Sequence, residues 1–478
     1  MRPKIGIFAG GIEWYWKETG MKELKNALEK DIRFLIDMLS SRSDVFYPGM
    51  AGNAEDAARI GRELSESKVD IALMHHATYI EDAMTLAFMD ELCNIFPVVF
   101  LSQGVKGIPN DFTLIDYGRC WGNNSAAQVT GTLRRMKRER FGFVFGHIDN
   151  PRPINEIIEY GLAGMAVKRL KGSKIAYLPH RCCGATMYDT FPDDTMMMAQ
   201  TGVRIFYCYT QEVVEAMEKI QNSEVDNLIK ELLSKYKLIE PPMEELRIAV
   251  KQALALEKVV EKNELDAVAI DPFPEFVMRT GMLPALGTTI LRDKGVVVSD
   301  EGDLTVAVGG LIIKAITSQP IHFWEHLMFD EEKNWLLGGH DSGSAAFSLA
   351  KDPSTVSLRN TMYINFENHP AGFYWGVADE FITKPGPVTL LDIYRGPLEY
   401  EMRISIGESV ETETRPVHMA HTIWKPNCTL NSYFKRIAEM GIEHHFALVH
   451  AEVEGVLEKV AQILNMKVEY LTDKSRKN

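Results

Sequence analysis

The sequence predicts an α/β protein that ends in a β-rich, barrel-like region. Strand-like and helix-like segments alternate over the first third of the chain and again from Lys174 onward, as in parallel sheets covered by helices. Between residues 361 and 409 the pattern changes to period-two alternation with glycine and proline turns, which favours antiparallel strands. Because 478 residues exceed a single core, we expect three domains, at residues 1–170, 171–318 and 319–478.

The first two domains share one alternating pattern. Short apolar runs bounded by turn residues predict strands, and apolar residues at helical spacing predict the helices between them. The strands are expected at residues 4–8, 69–74, 96–101, 141–145, 174–178, 203–208 and 267–270. The helices are expected at residues 21–39, 54–65, 81–93, 154–170, 211–236 and 243–262, with two more in the third domain at 430–440 and 453–464.

Charge and composition restrict the partners of the chain. A formal net charge of -14 would repel phosphate backbones, so we expect no nucleic acid partner. No apolar run approaches the roughly 20 residues that span a bilayer, so no membrane is expected either. The first residues do not have the pattern of a signal peptide, and the six cysteines, including the Cys182-Cys183 pair, are typical of reduced thiols. We therefore expect a cytoplasmic protein.

Candidate metal ligands stand at the ends of predicted elements in the C-terminal half. Glu301 follows an apolar run, Glu325 comes after a helix-length segment, and His340 lies in a glycine-flanked turn. His444 and His445 close a later helical segment. Carboxylate and imidazole ligands without a thiolate suit manganese, magnesium or cobalt better than a structural zinc. An alternative stays open, because most of the 66 acidic residues and 13 histidines are expected to be solvated or structural.

Three runs around these residues resemble, in order and approximate spacing, the signature segments of the L-arabinose isomerases. They are SDEGDLTVAVGGL, HFWEHLMFDEEKNWLLGGH and GIEHHFALVHA, and GMLPALGTTILRDKG adds a more distant similarity. The resemblance implies two flavodoxin-like, Rossmann-like parallel-sheet domains followed by the β-rich domain. It also implies a Mn²⁺ site, with Co²⁺ or Mg²⁺ as alternatives, formed by Glu301, Glu325, His340 and His445.

The resemblance further implies a metal-dependent aldose-ketose isomerase, which moves a proton between C1 and C2 of a monosaccharide through an enediol. Glu301 and Glu325 would serve as acid and base as well as ligands. The reaction would be L-arabinose to L-ribulose, with D-galactose to D-tagatose as a second one. Members of the family form hexamers with active sites shared between subunits, so a homo-oligomer is expected. Trp14, Met187 and His444 are the candidate substrate contacts.

The chain departs from the family in the segments that would line the pocket. Ile12 and Trp14 stand where the family has glutamine and leucine, and Tyr188 replaces an arginine after Met187. The segment WGNNSAAQVTG also lacks a histidine of the family. Because of these changes, the resemblance does not fix which sugar is the substrate. Two other functions stay in view: a metal-dependent epimerase or lyase acting on a sugar or sugar acid, and a non-catalytic sugar-binding module.

Overall fold

The computed structural model describes residues 2–178, 187–273, 275–361 and 376–475, and the chain divides into two compact units. The first unit contains Met1–Lys168 and Gly455–Asn465, and the second contains Arg169–Glu454 and Met466–Asn478. The Cys182-Cys183 pair and most of the TMYINF run lie outside the described residues. The three domain boundaries expected from the sequence stay predictions.

A parallel sheet forms the centre of the first unit. Its strands are β1 (Lys4–Gly10), β2 (Asp44–Phe46), β3 (Met50–Ala51), β4 (Ile71–His75), β5 (Phe96–Leu101) and β6 (Gly142–Phe145). Their order is β2-β1-β4-β5-β6 with the short β3 beside β1, and every pairing is parallel. With β3 set aside, this is the 2-1-3-4-5 order of flavodoxin-like folds, as predicted.

Helices accompany the strands of this sheet. They are α1 (Trp14–Lys17), α2 (Leu24–Ser40), α3 (Ala54–Glu66), α4 (Asp82–Asp90), α5 (Leu114–Gly118), α6 (Gly122–Arg135) and α7 (Pro151–Leu170). In α2 the residues Leu28, Ile32, Leu35 and Leu39 are buried, so their spacing of three and four places one apolar stripe against the core. The Asn53 side chain begins α3 by accepting from the Asp56 backbone N–H.

The second unit begins with another parallel sheet. The strands in this part of the chain are β7 (Lys174–Leu178), β8 (Arg204–Tyr207), β9 (Lys237–Leu238), β10 (Ala267–Ile270) and β11 (Val297–Asp300). Four of them pair in the order β11-β10-β7-β8, all parallel, while β9 belongs to a separate small sheet. This confirms the second predicted parallel-sheet region and leaves β11 at an edge.

The structure has two helices, α9 (Thr210–Lys219) and α10 (Asn222–Lys235), where the sequence predicts one. The accompanying helices are α8 (Asp194–Thr201), α9 (Thr210–Lys219), α10 (Asn222–Lys235), α11 (Met243–Asn263), α12 (Glu275–Thr280), α13 (Ala285–Asp293) and α14 (Leu304–Thr317). The region predicted as helical over residues 211–236 is interrupted because Ile220 and Gln221 are extended. Glu224 caps the new start by accepting from the Gln221 backbone N–H at 2.9 Å.

The remaining strands form the predicted β-rich region. They are β12 (His322–Asp330), β13 (Trp335–Gly339), β14 (Ser357–Asn360), β15 (Val377–Glu380), β16 (Gly386–Arg395), β17 (Tyr400–Ser409), β18 (His421–Pro426), β19 (Phe446–Val449) and β20 (Val468–Tyr470). Six strands run in the order β16-β19-β12-β13-β18-β17, and β17 pairs back to β16. Because β17 pairs back to β16, the six strands form a closed barrel, and every pairing in it is antiparallel. Its core contains a cluster that includes Trp324, Trp424 and Phe446.

Three more helices complete the described chain: α15 (Ala346–Leu349), α16 (Leu430–Met440) and α17 (Glu454–Leu464). Most of α17 belongs to the first unit, where it packs against α7. Lys459 Nζ lies 3.1 Å from Glu159 Oε2, and Tyr160 donates to Gln462 Oε1 at 2.7 Å. None of the described helices is both long and apolar enough to cross a membrane.

The barrel interior permits a direct test at Gly338 in β13. A Cβ at this position would lie 2.0 Å from Trp324 Cε2 and 2.4 Å from the Glu325 carbonyl oxygen. We expect Gly338→Ala to lower the free energy of unfolding by roughly 1–3 kcal/mol or more, because a rigid indole and a strand backbone must move. Thermal denaturation would measure it. The matched control is Gly309→Ala in α14, where the nearest atoms lie 3.5 Å away; equal melting temperatures for the two variants would contradict this packing.

Candidate metal centre

Strand register brings three of the candidate ligands together beside β12, where β13 ends and β19 begins. Glu325 in β12 pairs with Gly339, the last residue of β13, and His340 follows it directly. Trp324 pairs with Phe446, the first residue of β19, so continuing the antiparallel register places His445 opposite Glu325. Glu325, His340 and His445 therefore lie side by side on three neighbouring strands or directly next to them, and each offers a ligand atom within 4.8 Å of the others.

Glu301 reaches this place from the parallel sheet. It follows β11 and has a left-handed backbone with φ of 53°, and Gly302 continues the turn with φ of 67°. A Cβ on Gly302 would lie 3.1 Å from Tyr177 Cε2, so this tight turn favours glycine. Asp303 then ends the turn by capping α14, accepting from the backbone N–H groups of Thr305 and Val306.

The four candidate ligands converge. Glu301 Oε1 lies 3.8 Å from His340 Nε2, and Glu301 Oε2 lies 3.8 Å from His445 Nε2. Ligand atoms placed about 2.1 Å from one octahedral ion are separated by about 3 to 4 Å, so these spacings fit a shared cation. The structure thus brings together Glu301, Glu325, His340 and His445, whose roles as ligands stay predictions.

His445 has the environment of a metal-bound imidazole. Its side chain is fully buried, and its Nδ1 lies 3.2 Å from Asp303 Oδ2. Its Nε2, on the side of Glu301, has no hydrogen-bond partner among the described residues. A carboxylate on one ring nitrogen and an unsatisfied second nitrogen are the arrangement that a histidine ligand requires. Asp303 was not among the predicted site residues, although its position before a helix is a visible capping signal.

Two further carboxylates, which the sequence analysis does not predict as site residues, lie close to the Nδ1 side of His340. Its Nδ1 lies 3.5 Å from Asp300 Oδ2 and 3.5 Å from Asp341 Oδ1, and all three side chains are buried. The sequence indicates only their neighbours in the chain, Glu301 and His340, as candidate ligands. Each of these aspartates lies directly beside a candidate ligand, and no periodic pattern marks it as part of a site.

The acidic surroundings dominate the electrostatics of His340 and Glu301. Burial alone would lower the pKa of His340, but Glu301 together with Asp300 and Asp341 outweighs it and raises the pKa to about 9. Burial raises the pKa of Asp300 to about 7 and that of Asp341 to about 6. Burial would also raise the pKa of Glu301, yet His340 and His444 hold it well below its usual range. The cluster therefore favours added positive charge.

His444 lies at the more open side of the cluster. Its side chain is one-third exposed, and its Nε2 is 3.9 Å from Glu301 Oε2. Asp189, also missed by sequence reasoning, fixes it twice: the carboxylate lies 2.5 Å from His444 Nδ1 and accepts from the His444 backbone N–H at 3.2 Å. A polar side chain held beside a candidate ligand is suited to contact a substrate.

The other two predicted substrate contacts are Trp14 and Met187. Trp14 begins α1 in the first unit, with its ring 4.7 Å from that of Tyr15 and 46% of its surface exposed. Met187 is partly buried, and residues 184–186 before it lie outside the described ranges. The substrate roles of Trp14 and Met187 stay predictions.

Comparisons with known proteins find relatives among the sugar isomerases. Residues 190–319 match the family model described as the L-arabinose isomerase central domain. A sulfoquinovose isomerase of Priestia aryabhattai is 22% identical over 408 residues, which cover 84% of this chain and 85% of that protein. An L-arabinose isomerase of Lactiplantibacillus plantarum is 23% identical over 294 residues, 58% of this chain and 59% of that protein.

Two parallel sheets, a closed barrel and these similarities define the class of the protein, which is that of the sugar isomerases. Within this class, the chain is similar to the L-arabinose isomerases, with the family-model match confined to residues 190–319.

The pKa of His340 predicts how the metal-free protein responds to pH. Because the folded state holds this proton more tightly than the unfolded chain, the resulting stabilisation is complete below pH 6.5 and is lost as the pH rises through about 9. The loss should be on the order of 3 kcal/mol. Melting temperatures measured in chelator between pH 6 and 10 would test it. His340→Gln should flatten the profile, and an unchanged slope in this variant would contradict the assignment.

Proposed function

We propose that this protein is a metal-dependent aldose-ketose isomerase that acts through an enediol intermediate. The observation that carries the proposal is the convergence of Glu301, Glu325, His340 and His445 from the parallel sheet and three barrel strands. These residues lie far apart in the sequence, so their meeting at one buried place is a property of the fold. The similarity to named isomerases supports the same conclusion.

The donor set supports a hard or borderline divalent ion. Two carboxylates and two imidazoles, without thiolate, suit Mn²⁺ and also Co²⁺ or Mg²⁺. The unsatisfied Nε2 of His445 and the acidic surroundings of His340 fit such an ion. When bound, it would supply Lewis-acid polarisation of a sugar carbonyl and its neighbouring hydroxyl.

The carboxylates of the chain perform the proton transfers in this proposal. One of them, Glu301 or Glu325, removes the proton from C2 of an aldose and returns it to C1, while the other moves the hydroxyl proton from O2 to O1. His340 and His444 hold the pKa of Glu301 well below its usual range, so this side chain is ionised and carries the negative charge that a ligand to the ion requires. His444, held by Asp189, contacts a sugar oxygen at the open side.

The substrate is a monosaccharide, and two candidates have support. L-Arabinose, with D-galactose as a second aldose, follows from the signature segments and from the relatives named L-arabinose isomerase. Sulfoquinovose, a sulfonated sugar, follows from the relatives named sulfoquinovose isomerase, one of which aligns over 84% of this chain. We further propose a cytoplasmic homo-oligomer, a hexamer with shared active sites, on the basis of the family resemblance.

Removing either carboxylate charge should abolish turnover while the fold remains. We expect Glu301→Gln and Glu325→Gln to lower kcat at least 100-fold, because the amide keeps the shape of the side chain but cannot take up the proton. Glu332→Gln, in the exposed turn of the same β12–β13 hairpin, is the control and should behave as wild type. Chromatographic assay of ketose formation measures the effect. Near-normal turnover by either site variant would refute the assigned roles.

Metal dependence and substrate can be tested in one panel. L-Arabinose, D-galactose and sulfoquinovose would be incubated with chelated protein, with and without added Mn²⁺, and the products identified by NMR. We expect one aldose to give its ketose only when Mn²⁺ is present. Ketose formation in chelator would contradict the role of the metal. A C2-epimer or a dehydrated product would instead support an epimerase or lyase, and binding without turnover would support a sugar-binding protein.

A further inference from the structure

A buried arginine, Arg292, lies near the candidate ligands and has no role in the proposed reaction. Arg292 lies near the end of α13, and only 3% of its surface is exposed. No carboxylate of the described residues is seen within ion-pair distance of its guanidinium. A buried cation without such a partner is costly unless its hydrogen bonds are satisfied, so the contacts of Arg292 call for an explanation.

The guanidinium donates to the backbone of two segments, each of which is close in sequence to a candidate ligand. Nη2 donates to the Val298 carbonyl at 2.9 Å, and Nη1 donates to the Ser342 carbonyl at 3.0 Å and also to that of Gly343. Val298 precedes Glu301 by three residues, and Ser342 follows His340 by two. One side chain therefore spans the strand that leads to one candidate ligand and the loop that follows another.

Val298 is available for this contact because β11 is an edge strand. Its neighbour Val297 donates its N–H to Asp266 on the side of β10, so the polar groups of Val298 point to the open edge. The rigid fork of an arginine can reach this carbonyl and the loop carbonyls at once. The edge of the sheet is thus connected to the loop through Arg292.

The loop after His340 is seated closely on α13. Gly343 has φ of +78°, and a Cβ there would lie 2.4 Å from the Ala285 carbonyl oxygen. Ser344 donates its backbone N–H to Asp379, which also accepts from Thr289 of the same helix. With these contacts and Arg292, the backbone beyond His340 has little freedom to shift.

We propose that Arg292 is a positioning residue for the metal centre: it fixes the separation between Glu301 and His340 by binding the backbone beside each of them. This inference rests on the proposed metal site and goes beyond it, because Arg292 contacts neither the ion nor the substrate. Removing such a supporting contact typically weakens metal binding about 10- to 100-fold.

The test measures Mn²⁺ binding to the metal-free protein by calorimetry, together with hydrogen exchange of the segments 297–303 and 338–345. Arg292→Met should raise the Kd about 10- to 100-fold and speed exchange in both segments before metal is added. Arg292→Lys, which keeps the charge but not the fork, should fall between this variant and wild type. The control is Ile290→Ala, which removes a core side chain from the same helix and should lower stability while leaving the Kd unchanged.

The outcomes separate the two proposals. Wild-type protein that binds no Mn²⁺ would overturn the metal centre and, with it, the role of Arg292. Wild-type binding together with a Kd within about threefold for both Arg292 variants would overturn the positioning role alone. Should Arg292→Met not fold, Arg292→Lys decides the question, and weakening of equal size in Ile290→Ala would show a general loss of stability and also refute the role.

Discussion

The antiparallel register of β19, β12 and β13 is the constraint on which the site depends. Side chains alternate between the two faces of a barrel strand, and the core fixes Trp324 on the inner face, where Gly338 leaves room for its indole. Glu325 must then lie on the outer face, opposite the place where β19 begins and β13 ends. A slip of one residue would turn this carboxylate into the core, so packing inside the barrel selects the ligand geometry outside it.

Charge balance is the second constraint. Burying several carboxylates around one imidazole is unfavourable unless positive charge compensates them. Asp300 and Asp341 bracket Nδ1 of His340, while Glu301 faces Nε2. Proton uptake by the imidazole relieves part of this cost in the metal-free protein, and a divalent cation would relieve more. The excess of negative charge that makes burial of these carboxylates costly also favours the binding of a cation.

The sequence was sufficient for features that depend on local pattern and insufficient for those that depend on distant contacts. Alternation of strands and helices predicted both parallel sheets, and period-two runs predicted the barrel-like region. Closure of the barrel depends on β17 pairing back to β16, which no single segment encodes. Asp303 shows the limit: its capping position is visible beside α14, but its contact with His445 joins residues 142 apart. Arg292 has no local signal, because its partners are backbone carbonyls.

The origin of the ligands gives the site a thermodynamic role as well as a chemical one. Glu301 comes from the parallel sheet, whereas Glu325, His340 and His445 come from the barrel, so the cluster exists only when these two layers are docked in one way. An ion that binds this arrangement and not a separated one would stabilise the docked form by its own binding free energy. Conversely, contacts between the two layers, such as those of Arg292, order the site in advance, so less of the binding free energy of the ion is spent on ordering it. Metal affinity and the packing of sheet against barrel are therefore coupled quantities.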